Sequence, residues 1–140
     1  MTEAEVIAAL RGYWLAPSTQ AIVGAAGWLH LFDDDDRPEA VVPHTVIRIA
    51  SAGNTRMGVG RRREENRGTI FVQVFSPRTG GPGPGERKAS AVASAWRQAR
   101  LSRILLSAPS TATLTAEGAF NRQLVTLGWR ADLRFSDQGT

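Results

Sequence analysis

Two histidines, a glycine-rich loop, four consecutive aspartates and a cluster of arginines are the features of this 140-residue chain that could carry chemistry. His30 and His44 are its only imidazoles. They fall in different elements with no catalytic partner nearby in sequence, so each reads as a structural histidine. Cysteine is absent, which removes disulfides, thiolate zinc sites, iron–sulfur clusters and thiol nucleophiles together. No serine sits in a nucleophile-elbow pattern. The segment Gly80–Gly85 follows a strand pattern, precedes a helix pattern and matches the first six positions of a phosphate-binding loop. Glu86 and Arg87 then stand where that loop needs lysine and a hydroxyl. A carboxylate at a helix start also occupies the positive end of the dipole and repels phosphate. Asp33, Asp34, Asp35 and Asp36 offer oxygens, but a calcium loop needs spaced carboxylates, a glycine turn and a distal glutamate. No catalytic, cofactor-binding or metal-ligating set emerges, and no cofactor is expected. The expectation is a protein that is not an enzyme.

The charged runs point instead to partners. Asp33–Asp36 must be exposed, because adjacent carboxylates repel and cannot be buried cheaply. Arg61, Arg62, Arg63 and Arg67 could neutralise phosphates, but Glu64 and Glu65 are interposed and no aromatic residue lies in the run to stack on bases. Arginine is enriched at protein interfaces, where its planar fork pairs with carboxylates. The run reads either as a solvated turn or as a protein contact; for the second, charge alone makes the aspartate run, itself a solvated turn, the complementary patch.

These features need elements to hold them. With 42% apolar residues the chain can sustain one core, so residues 1–140 are expected to form a single domain with Ser136–Thr140 as a flexible tail. No run reaches the roughly 18 apolar residues of a membrane span, and Glu3 and Glu5 stand where a secretory signal would be basic. A cytoplasmic protein with no membrane partner is the expectation. The net charge of +4 permits acidic partners without requiring them.

Thr2 followed by Glu5 is a capping box, and Val6, Leu10 and Tyr13 or Trp14 recur at helical spacing, with Ile7 widening the stripe and Pro17 ending any continuation. Trp28–Phe32 fits a strand or a buried loop. Thr45–Ala50 and Thr69–Phe75 read as strands, joined through a polar glycine-rich connection and the arginine run into a long protruding antiparallel hairpin. Ile70, Val72 and Val74 share one face of the second strand, and Phe71 and Phe75 the other. Gly80–Gly85 is expected to be a flexible loop. Ala89, Val92, Ala93, Trp96 and Ala99 predict a second helix from about Glu86, with Arg87, Lys88, Arg97 and Arg100 between its apolar positions. Ser107–Thr115 reads as irregular or a short strand. Gln123–Phe135 alternates strictly, with Val125, Leu127, Trp129, Ala131, Leu133 and Phe135 on the dry face. The fold class is α+β: one antiparallel or mixed sheet with two main helices packed on a single face.

The stretch Arg67–Pro77 (RGTIFVQVFSP), the glycine-rich loop after it and the helix Ala89–Trp96 resemble the centre of tail terminator proteins. These are the tail-completion proteins of long-tailed phages and phage-like particles. The closing strand with Gly128–Trp129 inside it is similar too, so the resemblance covers most of the chain in element order. Thr111–Ala119 has no counterpart in the pattern.

The resemblance implies a structural virion protein that caps the tail tube as a hexameric ring, ends tube polymerisation and joins the tail to the head side. Its implied partners are further copies of itself, the tail tube protein and a head-side connector or stopper protein, with DNA only passing through the ring lumen. The implied location is the tail or neck of the particle, assembled in the host cytoplasm. A ring uses heterologous contacts between two different patches. Arg61, Arg62, Arg63, Glu64, Glu65 and Arg67 on one side, and Asp33–Asp36 on the other, are the candidate contact residues. Two other readings stay open: another head–tail connector component such as a stopper, and a small basic nucleic-acid-binding domain.

Overall fold

In the computed structural model of the protein, which describes residues 2–24, 27–57 and 63–134, Thr2 begins the first helix as its spacing predicts. Its Oγ1 accepts from the Glu5 N–H at 3.2 Å and satisfies one orphan donor of α1, Glu3–Leu15. Val6, Leu10 and Trp14 are the buried stripe. Pro17 does stop α1 from continuing, as expected. It opens a second helix, α2 (Pro17–Val23), at the first helical position, where its missing N–H costs nothing.

Six strands follow in one sheet: β1 (Leu29–Phe32), β2 (His44–Met57), β3 (Arg63–Pro77), β4 (Ile104–Leu106), β5 (Ser110–Glu117) and β6 (Phe120–Arg134), with α3 (Gly83–Arg97) between β3 and β4. The order across the sheet is β1-β2-β3-β6-β4, and β5 pairs with β6 on the same side as β4. β1 runs parallel to β2 and every other pairing is antiparallel, so the sheet is mixed. The chain is α+β, with three helices among the described residues rather than two.

Three sequence expectations change. The polar, glycine-rich stretch after Ala50 continues as strand to Met57, with a bulge between Ser51 and Gly53, because every residue of it except the bulged Ala52 has a partner on β3. Arg63–Arg67 likewise are strand residues paired on both sides, by β2 and β6. Of the expected hairpin tip, Arg61–Arg67, only Arg61 and Arg62 lie outside the described residues; residues 58–60 and the tail Ser136–Thr140 lie outside them too. The Gly80–Gly85 loop shrinks to a short 3₁₀ turn (Arg78–Gly80) and the start of α3.

The helices cover one sheet face. Ile70, Val72 and Val74 of β3 and Val125, Leu127, Trp129 and Ala131 of β6 join Leu10, Trp14, Val92 and Trp96 in one core. Trp14 and Trp96 stack at 6.0 Å, and the Tyr13 hydroxyl donates to the Ala95 carbonyl, pinning α1 to α3. Two glycines set close approaches. A Cβ at Gly68 would overlap the Ala50 carbonyl and the Trp129 indole that lies across it. A Cβ at Gly85 would come within 2.6 Å of Ser76 Oγ, so glycine lets the first turn of α3 sit on β3.

Candidate partner-binding surfaces

Adjacent residues of a strand point to opposite faces, which separates much of the chemistry noted in the sequence. His30 pairs with Thr45 across β1 and β2, and its Nδ1 is 2.8 Å from Thr45 Oγ1. It meets Trp14 edge-on at 5.8 Å under the helices. Burial, and then the nearby Lys88 ammonium, lower its pKa from 6.5 to about 4, so the ring is neutral at pH 7. His44 faces the other way: it stacks on Phe75 at 4.6 Å, meets Phe120 edge-on, and sets its Nδ1 at 2.9 Å from the Val42 carbonyl. Burial is also the main cause of its lowered pKa, with the Arg37 charge adding to it. The two imidazoles therefore lie on opposite sides of the sheet. Among the described residues no three metal-ligating side chains converge.

Lys88 is the residue whose place the sequence concealed. It reads as one of the basic residues between the apolar positions of α3, yet it is only 7% exposed. Its Nζ donates to the carbonyls of Val23, at 2.8 Å, and Gly24, where α2 ends, and lies 4.7 Å from the Trp28 ring centre. A helix end leaves carbonyls without partners and carries partial negative charge, so a cation there is favourable. Burial still lowers the lysine pKa. The available signal was spacing: Lys88 stands three residues after Gly85 and four before Val92, on the face that α3 buries.

The charged runs take defined places. Asp33–Asp36 form an exposed turn beyond β1. Asp35 Oδ2 accepts from the Phe32 N–H at 2.8 Å, and Asp34 lies 3.7 Å from Arg11, which also sits 4.0 Å over the Phe32 ring. Such an exposed ion pair contributes at most about 1 kcal/mol. Of the arginine run, Arg61 and Arg62 lie outside the described residues. Arg63 and Glu64 pair with Arg134 and Leu133 in register. Glu65 is buried, and its carboxylate accepts from the exposed Arg67 guanidinium. The structure thus puts the aspartates beside one edge of the sheet, after β1, and Arg63–Arg67 in its middle strand, β3.

The opposite edge holds what the sequence reading missed. Short β4 stands between two grooves of about 500 Å³ and 400 Å³. Arg97 and Arg100 line the first, Arg67 and Arg130 the second, and Leu105, which borders both, is 60% exposed. Among the described residues no carboxylate lines either groove.

This architecture has counterparts among solved structures. One belongs to a virion. A chain of the virion of a native gene transfer agent particle matches with a TM-score of 0.53 and 19% identity, covering 91% of this chain and 92% of its own. Another solved chain matches with a TM-score of 0.60 and 15% identity, over 94% of this chain and 96% of that one. At these identities the likeness is one of fold. No protein-family model matches the sequence, and no curated protein matches it significantly.

Proposed function

We infer that this chain is a structural subunit of a phage-like particle that closes as a ring on the end of the tail tube. There it halts tube growth and offers its far surface to a head-side connector. The observation that carries this reading is the end-to-end fold match, more than nine tenths of each chain, to a chain of a gene transfer agent virion. The RGTIFVQVFSP strand, its helix and the alternating closing strand support the narrower tail-terminator role, because they form the two central strands and the helix packed on them. Function on this reading is geometric: shape and charge position copies against one another, and no bond is made or broken.

Electron microscopy of particles produced without this protein tests the proposal. Tails of uncontrolled length are the expected result. Particles with tails of normal length, joined normally to their heads, would contradict it.

A further inference from the structure

The two ends of the sheet carry opposite charge. Beyond β1 lie Asp33–Asp36, all exposed. Beyond β6, on the far side, lies β4 with its arginine-lined grooves. Arg97 and Arg130 are exposed and make no ion pair among the described residues. Asp33 and Asp36 likewise engage no cation among the described residues; the single bridge of that turn goes from Arg11 to Asp34. Each edge is therefore left with charge that its own subunit does not neutralise.

We propose that the grooves flanking β4 receive the Asp33–Asp36 turn of a second copy of this chain. The proposal rests on the ring reading and supplies its contact. A patch at one end of the sheet meeting a different patch at the other end is a heterologous interface, the kind that closes into a ring when its rotation permits. Arginine forks on both sides of a narrow strand can pair with carboxylates bidentately. Exposed Leu105 between them adds apolar area, which suits a protein turn better than a phosphate backbone. The contact is made by side chains rather than by strand addition, because Asp35 already takes up the Phe32 N–H at the end of β1.

Charge reversal followed by light scattering tests this. Arg97→Glu with Arg130→Glu, and separately Asp33→Arg with Asp36→Arg, change exposed side chains that make no hydrogen bond or ion pair among the described residues; circular dichroism checks that both variants fold. The wild type is expected to associate at low salt, and each variant to associate at least roughly tenfold more weakly. A chain carrying all four reversals should recover association, since the exchanged charges are again complementary.

Undiminished association of both variants overturns this contact and leaves the ring reading standing. A wild type that stays monomeric at high concentration in low salt also overturns it. So does retention of duplex DNA that the Arg97→Glu, Arg130→Glu variant loses, which would assign the grooves to phosphate. Tail length in particles lacking the protein judges the ring reading separately.

Discussion

Lys88 and His30 form an interior pair in which one buried cation depresses the other group's basicity. Removing the ammonium as Lys88→Met leaves the Val23 and Gly24 carbonyls without their donor and should cost about 1–3 kcal/mol in denaturant unfolding. The same change should raise the His30 pKa, visible by NMR titration, because one of its two lowering influences is gone. His30 is held below its ordinary value, so the unfolded chain takes up a proton first as pH falls. Its contribution to stability is complete above pH 6.5 and is lost between 6.5 and about 4, at no more than about 1.4 kcal/mol per pH unit. His30→Gln should flatten the wild-type slope in that window; an unchanged slope would show that other groups set it. Gly68→Ala is the steric counterpart. With the Ala50 carbonyl and the Trp129 ring both in the way, it should destabilise by roughly 3 kcal/mol. None of these three roles was legible in composition: a lysine among arginines and a glycine near a turn-like run look the same buried or exposed.

At the level of elements, legibility followed periodicity. The core stripes of α1, α3, β3 and β6 could be read because their spacing is strict and each has one dry face. Asp33–Asp36 were placed correctly as exposed, for electrostatic reasons alone. The misses share a cause: a neighbour in space decided the outcome. Pro17 opens a helix because α2 packs on α3. Residues 51–57 form strand because β3 lies beside them, and three-residue β4 exists through its pairing with β6. The candidate contact site was half legible. Its acidic side was plain, while Arg97 and Arg130 are 33 residues apart in sequence and meet around β4 only in the folded sheet. Hydrogen exchange should rank the same elements. Amides of β3 and the middle of β6, paired on both sides, should exchange slowest, and those of edge strands β1 and β4 much faster. Rapid exchange in β3 would contradict this sheet order.

For the whole molecule, function on the proposed reading lies in how copies meet. The sheet ends differ in charge, the helices shield one face, and the fold matches a virion chain almost end to end. Contacts made by exposed charges weaken with ionic strength, so self-association should fall steeply between low and physiological salt. The most direct measurement is averaged cryo-electron microscopy of the tail-to-head junction in intact particles containing this protein. Six copies closed about the tube axis at the head-proximal end, each presenting its β4 edge to its neighbour's aspartate turn, is the predicted result. Finding the protein elsewhere in the particle, or in no closed ring at that end, would contradict the account.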